Sequence, residues 1–418
     1  MLRAFAVVRP PRRHWRAYAA LAPKAIVLAH TRARRRALTA VSIAVTGSVG
    51  KTTTKDLLKA ALLTTGPTVG LETGANRADA LVEAVRSADR GTRFIVQEVG
   101  LAGAGAGTLD EILWTLEPRV SVVTTVRSDH FPGLDGLEGI AREKIKAVAV
   151  LPREGLAVLN ADDPRTRAMA AAAGCRVVLV GKAEDADVRI AAAERDEDGR
   201  LVVRLRDGDG EWLLRTQLLG IHWATAVALA FATATRLGAE PDRVVAALTS
   251  VPPTWERLNI VTAPTGARFL LDTAKATEAT VGPSLAAFAG VPARRRIAVI
   301  GWLWDFLEGS DAEVAGRIAA DAFAVADEVL LYGRTAAVAP PGALADPRVR
   351  GFDSIAELSD DVWGMTGPGD LVLLMGTFPS DHLSRIALRV THDVRCRRDD
   401  CTKRTPCNRC PLLGPLLQ

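Results

Sequence analysis

The sequence predicts an α/β protein built from two parallel-sheet domains, and three observations carry that prediction. The first is a strand–turn–helix stretch, Ile43-Ala44-Val45-Thr46-Gly47-Ser48-Val49-Gly50-Lys51-Thr52-Thr53-Thr54, with the chemistry of a phosphate-binding loop. The second is the repeated alternation of short β-branched apolar runs with segments of helical periodicity, the pattern of parallel strands joined by crossover helices. The third is a proline-containing break, Val251-Pro252-Pro253-Thr254-Trp255-Glu256-Arg257-Leu258, after which the alternation begins again.

In the first stretch, Gly47 and Gly50 allow the backbone to approach an anion closely. Lys51 supplies a point charge, Thr52 a hydroxyl for a metal ion, and the following helix its free N–H groups. The strict pattern has Gly where this chain has Val45, so the match is to the shorter form T-G-x-x-G-K-T-T.

At 418 residues the chain exceeds one ordinary core, and 48% apolar with 24% charged residues marks it as globular rather than disordered. No apolar run is long enough to span a bilayer. The apolar part of the N-terminus, Ala17 to Ala29, is interrupted by Pro23 and Lys24, so no cleavable signal is expected and the chain reads as cytoplasmic. The net charge of +5 is unevenly spread: residues 1–40 hold ten Arg or Lys and no acid, the last 25 residues are basic, and the body between is acidic. A basic end on an acidic body argues against a nucleic-acid partner. The N-terminal segment fits either peripheral contact with an anionic membrane or a solvated helix packed at its Trp15–Tyr18 end. The expected division is a basic extension over 1–38, a first domain over 39–251, a second over 252–393, and a Cys-rich basic tail over 394–418.

Taken in order, Lys55 to Leu63 continues the helix until Gly66-Pro67, and Ala80 to Ser87 is helical. The run Arg93-Phe94-Ile95-Val96-Gln97-Glu98 is a buried strand with a carboxylate at its C-terminal end, where open α/β sheets bind ligands, so Glu98 is a candidate magnesium ligand. Helix Thr108–Leu116 and strand Val120–Val126 follow. His130, just past that strand, fits a metal ligand, a phosphate contact or an Asp-paired structural group. Leu137 to Val150 reads as helix, Leu156 to Asn160 as strand, and Val177–Val180 and Val188–Ala191 as further strands. Leu201–Leu205 and Trp212–Thr216 pair across Asp207-Gly208-Asp209-Gly210. Gly220 to Leu237 is helical. The second domain has strands at Phe269–Asp272, Ile297–Ile300, Glu328–Leu331 and Leu371–Leu374.

Four blocks, T-G-S-V-G-K-T-T-T-K-D-L-L, Q-E-V-G, D-H-F-P-G-L-D-G-L-E-G-I-A-R-E-K and L-P-R-E-G-L-A-V-L-N-A-D-D-P, lie in this order over residues 41–168. As a set they resemble the Mur ligase family, whose members join an amine to a carboxylate with ATP. Among its members, the one that adds the terminal dipeptide looks most similar. Weaker likeness runs through Gly220-Ile221-His222-Trp223, Glu256-Arg257-Leu258 and Leu271-Asp272-Thr273-Ala274-Lys275-Ala276-Thr277. The resemblance implies a central P-loop ATPase-like parallel-sheet domain followed by a Rossmann-like C-terminal α/β domain, with the family's UDP-sugar domain missing from the N-terminal side.

The same resemblance implies that Gly47, Ser48, Gly50, Lys51, Thr52 and Thr53 hold ATP phosphates and magnesium, that Glu98 and His130 reach the metal, and that Lys144 is carbamoylated and binds it. Lys51, His130 and Lys144 are then the catalytic set, and Arg257, Asp272 and Lys275 contact ATP or the incoming substrate from the second domain. The activity implied is amide-bond formation through an acyl phosphate, between a carboxylate donor and an amino acid or peptide amine, in cell-envelope, capsule or specialised peptide biosynthesis. Thr125, Ala226 and Gly301-Trp302-Leu303-Trp304-Asp305 depart from the family's pattern. They motivate an alternative, a catalytically inactive nucleotide-binding regulatory or scaffold protein. Trp302 and Trp304 fit either an altered acceptor pocket or core.

Four of five cysteines lie in the tail as C-x4-C-x5-C-x2-C: Cys396, Cys401, Cys407 and Cys410. This set fits a tetrahedral zinc site, an iron–sulfur cluster, disulfides or free thiols. Cys175 stands alone and reads as a buried structural thiol.

Overall fold

The computed structural model describes residues 15–71, 76–100, 108–127, 134–304, 309–378, 380–401, 403 and 405–417, with side chains in the first helix from Lys24 onward. Its first part runs α1 (Trp15–Arg36), β1 (Val41–Thr46), α2 (Lys51–Leu63), β2 (Thr68–Val69), α3 (Ala78–Ser87), β3 (Phe94–Glu98), α4 (Leu109–Leu116) and β4 (Val120–Val123). It continues through α5 (Gly136–Lys144), α6 (Lys146–Ala149), β5 (Leu156–Asn160), α7 (Pro164–Ala168), β6 (Arg176–Gly181), β7 (Val188–Arg195), β8 (Arg200–Asp207), β9 (Gly210–Leu219), α8 (Ala224–Arg236) and α9 (Pro241–Ser250).

These strands form one sheet in the order β2-β3-β1-β4-β5-β6-β7-β8-β9. The pairs from β2 to β7 are parallel, and the last two are antiparallel. β1 has β3 on one side and β4 on the other, so successive crossovers leave it in opposite directions and open a crevice at its C-terminal end. Register sets Val45 level with Glu98, which brings that carboxylate to the crevice. The alanine-rich α8 is almost wholly buried, because it packs against α2 on one side and the sheet on the other and only small side chains allow so close an approach.

The second part runs β10 (Asn259–Thr262), β11 (Arg268–Asp272), α10 (Glu278–Gly290), β12 (Arg295–Ile300), α11 (Asp311–Phe323), β13 (Glu328–Tyr332), α12 (Arg334–Val338), β14 (Val349–Phe352), α13 (Ile355–Met365), β15 (Asp370–Met375) and α14 (Ser384–Leu388). Its sheet has the order β10-β11-β15-β12-β13-β14, parallel except for β10. The four strands read from sequence form its interior, while β10 and β14, the two edges, were not anticipated. One apolar cluster joins Leu57, Val227 and Phe231 of the first part to Leu270, Phe288 and Ile300 of the second.

Two expectations are corrected, and the packing expected at Trp15–Tyr18 falls on side chains outside the described ones. The helix read over Leu137–Val150 is two helices broken at Ile145, which leaves Lys144 at the end of α5. Cys175 is partly exposed beside β6 rather than buried. From Lys24 onward α1 is anchored to the body: Lys24 pairs with Glu111 at 2.8 Å, Arg32 and Arg36 both pair with Glu117, and Arg34 donates to the carbonyls of Val85 and Ala88 at the end of α3. These cations answer charges and helix-end carbonyls of the body. Arg36, first, and Arg32 hold the Glu117 carboxyl down to about 2. No described helix is long and apolar enough to cross a membrane.

Candidate functional site

The crevice after β1 is shaped by two glycines. Gly47 has φ 143°, and a Cβ there would come within 1.8 Å of the Thr124 hydroxyl. Gly50 caps α2 in the left-handed region at φ 84°, which turns the chain so that the helix begins at Lys51. The first N–H groups of α2 therefore point into the turn without intrahelical acceptors, and its first turn holds no acid to neutralise them. Ser48 clamps the loop to the segment after β4: its N–H donates to Thr125 O at 2.7 Å, its hydroxyl to Arg127 O at 2.9 Å, and it accepts from Arg127 N at 3.0 Å. Thr124 closes the other side, donating to Val49 O at 2.6 Å. Lys51 Nζ lies 3.0 Å from Ser48 O, folded over the loop it would serve.

The Thr52 hydroxyl donates to Glu98 at 2.8 Å and accepts from Arg257 at 3.2 Å. Thr52 and Glu98 are both buried. The buried Thr53 hydroxyl has no hydrogen-bond partner among the described residues. Arg257 arrives from the segment joining the two sheets, between two residues in the left-handed region, Glu256 and Leu258. A second bond, Thr254 to Asp56 at 2.8 Å, fixes that segment one helical turn further along α2.

A cavity of about 250 Å³ extends from the loop across to the second sheet, lined among others by Gly50, Asn160, Arg257, Asp272 and Lys275. Burial pushes the Asp272 carboxyl up to about 6, against the opposing pull of the Ser284 hydroxyl and Arg257. Lys144 is 1% exposed, unlike its neighbour Lys146, which pairs at the surface with Asp110 and Glu143. The structure thus brings Gly47, Ser48, Gly50, Lys51, Thr52, Thr53, Glu98 and Arg257 together and sets Asp272 and Lys275 on the facing wall. His130 lies outside the described residues. Neither Trp302, which carries the Arg334 guanidinium 4.1 Å over its ring, nor the half-exposed Trp304 lines the cavity.

Several residues at or beside the cavity escaped the sequence reading. Asn160 donates to Thr124 O at 2.7 Å. Asp163 accepts from the Thr125 hydroxyl at 2.7 Å and Val126 N at 2.6 Å, and also caps α7 through Arg165 N at 3.0 Å. Burial works to raise the Asp163 carboxyl, but these hydrogen bonds outweigh it and lower it. The departure at Thr125 is thus a built contact. Burial brings His222 down to about 4, a neutral ring beside Trp223 at 4.5 Å. The signal for Asn160 and Asp163 was their place just after a buried strand, in Asn160-Ala161-Asp162-Asp163-Pro164.

The four tail cysteines border a separate, much smaller cavity with His382 and Arg385. Among the described residues, no three His, Cys, Asp or Glu side chains are already arranged to hold a metal ion, either there or at the loop.

A parallel sheet with a glycine-bounded loop at its switch point, a helix N-terminus behind the loop, and a second α/β sheet facing it define a nucleotide-binding α/β protein of the P-loop class. Residues 45–234 match the Mur ligase middle domain. The UDP-N-acetylmuramoyl-tripeptide--D-alanyl-D-alanine ligase of Mycobacterium tuberculosis is 31% identical over 277 residues, covering 65% of this chain and 54% of that protein. The chain thus spans about half the length of these curated relatives. A crystal structure of MurF from Acinetobacter baumannii superposes with a TM-score of 0.76 at 22% identity, covering 87% of this chain and 79% of that one. The MurF ligase of Thermotoga maritima in complex with ADP superposes with a TM-score of 0.71 at 20% identity, covering 84% and 79%. At these identities the superpositions speak to the fold.

Proposed function

We propose that the chain, divided as 39–251 and 252–393, is an ATP-dependent ligase that joins a carboxylate to an amine through an acyl phosphate. The observation that carries this reading is the Arg257–Thr52–Glu98 relay, which links the second part of the chain to the phosphate-binding loop at the mouth of a cavity both parts line. A relative of the same fold holds ADP, which supports the nucleotide.

In this reading the loop N–H groups and Lys51 cradle the β- and γ-phosphates, and Arg257 adds positive charge as the second part closes. Asp272 and Lys275 meet the nucleotide or the incoming substrate from the facing wall. A carboxylate oxygen attacks the γ-phosphorus as its bond to the bridging oxygen breaks, and ADP leaves. The amine nitrogen then attacks the acyl carbon, loses a proton, and expels phosphate.

Magnesium fits the donor set: Thr52 and Glu98 offer hard oxygens 2.8 Å apart, and the orphaned Thr53 hydroxyl lies beside them in sequence. Thr52, Glu98, His130 and a carbamoylated Lys144 would hold it. When bound, the ion neutralises charge on the phosphoryl oxygens. The acceptor is an amino acid or peptide amine, the setting cytoplasmic, and the pathway cell-envelope, capsule or specialised peptide assembly.

The test is a hydroxylamine trap with ATP, magnesium, bicarbonate and pooled carboxylates, including nucleotide-linked and amino-acid-terminated ones. Hydroxamate and phosphate that appear with the wild type and vanish in Lys51→Ala are expected. ATP binding without hydroxamate from any pool would instead favour the inactive nucleotide-binding reading, which the departure at Ala226, on the cavity wall, motivates.

A further inference from the structure

We propose that Cys396, Cys401, Cys407 and Cys410 form a tetrathiolate site for one zinc ion, which clamps the C-terminal segment behind the loop that delivers Arg257.

The four thiols come from a stretch with almost no regular structure, yet all four border one cavity, together with His382, Arg385, Thr405 and Leu413. The cavity measures about 10 Å³, room for one small sphere. Two groups beside it bear on the thiols. Arg385, on α14, is 3% exposed, and no carboxylate pairs with it among the described ion pairs. Its Nε donates to His382 O at 3.2 Å, its Nη1 lies 3.5 Å from Cys396 Sγ, and its Nη2 has no hydrogen-bond partner among the described residues. A buried guanidinium without a counter-anion is costly. Four thiolates around a divalent ion carry a net charge of −2 and supply that anion.

His382 is the second group. It is buried with φ 51°, a conformation that needs a compensating contact. Its Nε2 lies 3.2 Å from Cys401 O, which can only accept, so Nε2 carries a proton. Its Nδ1 lies 3.2 Å from Cys407 Sγ. His382 thereby ties two of the four cysteines to α14, as a neighbour of the ligands, in the manner of the outer contacts that orient metal sites.

The segment needs such a clasp. Its own apolar cluster is only Leu388, Cys407 and Leu413, with Trp255 and Val394 against it. Three backbone bonds, Asp393 N to Pro415 O, Arg395 N to Leu413 O and Leu417 N to Thr391 O, at 2.9, 2.7 and 2.9 Å, and one from Ile355 N to the Asp399 carboxylate at 2.6 Å add to its attachment. So small a core does not order a tail by itself, and a metal commonly takes that part. Since no three ligands are yet arranged around a common point, binding completes the site by turning thiols already at the cavity wall. Trp255, which packs against this small cluster, stands two residues before Arg257. The clasp therefore backs the joining loop, whether or not the chain is a ligase.

The full-length protein, purified without chelator, is expected to contain one zinc per chain by mass spectrometry and to lose more than nine-tenths of it in both Cys401→Ser and Cys410→Ser. Because those variants can misfold, wild-type protein stripped of metal is titrated with cobalt(II). Thiolate-to-cobalt absorption and tetrahedral visible bands should saturate at one equivalent and be abolished by zinc. Two disulfides in freshly purified protein, iron with inorganic sulfide, or a cobalt titration without those bands would each overturn the proposal.

Discussion

The Nη2 of Arg257 lies 3.2 Å from the Thr52 hydroxyl, and that hydroxyl donates to Glu98 at 2.8 Å. One side chain of the joining loop thus reaches the residue in the loop helix that is proposed to meet the nucleotide and its metal. Arg257→Ala should lower ATP-dependent phosphate release at saturating ATP on the order of 100-fold with little change in melting temperature. Arg257→Lys should restore only part, since an ammonium keeps the charge and loses the fork. Unchanged turnover in Arg257→Ala would remove the relay from the mechanism.

Gly47 leaves room for the Thr124 hydroxyl, which donates to Val49 O. Gly47→Ala combines a disfavoured φ with a collision, so it should destabilise the chain by about 2 kcal/mol or more and abolish nucleotide binding. Chemical denaturation and nucleotide titration check this. The double variant Gly47→Ala/Thr124→Ser keeps the hydroxyl in place and should not recover binding, whereas Gly47→Ala/Thr124→Ala should recover part of it.

Asp272 has its carboxyl raised to about 6 by burial. A carboxyl raised in the fold contributes stability that is present below its unfolded value of 3.8 and lost as pH rises through about 6. Asp272→Asn should therefore raise the melting temperature at pH 8 relative to wild type, and the difference should vanish toward pH 4. A pH-independent difference would show that Asp272 does not titrate in this window.

Glu117 behaves oppositely. Arg36 and Arg32 hold its carboxyl down to about 2, so its contribution is present above 4.5 and lost as pH falls from there toward 2. Amide exchange in α1 should lose protection over that window while β1 stays protected. Glu117→Gln should show the loosened α1 already at pH 7; protection equal to wild type would mean that the apolar contacts alone hold the helix.

Much of this architecture was legible because it is local. The loop glycines, Lys51 and Thr52 follow an apolar strand in the required order, and the interior strands β1, β3, β4, β5, β11, β12, β13 and β15 read as continuous apolar runs since both their faces are covered. The edges β10 and β14 are short and only partly buried, so they left no such run. The break at Ile145 was hidden because both α5 and α6 keep helical periodicity; what distinguishes Lys144 from Lys146 is burial, which the spacing of the two lysines does not encode.

The sequence by itself determined the two α/β units, the glycine-bounded loop after β1 and the resemblance to the Mur ligases, because strand–loop–helix chemistry is carried by neighbours along the chain. Only the tertiary structure decided that Arg257 meets Thr52, that Asp163 holds Thr125, that α1 spends its cations on Glu111, Glu117 and the end of α3, and that four tail thiols share one cavity with Arg385. Each of these joins residues far apart in the chain, and their meeting depends on how sheets and helices pack, which no local pattern specifies.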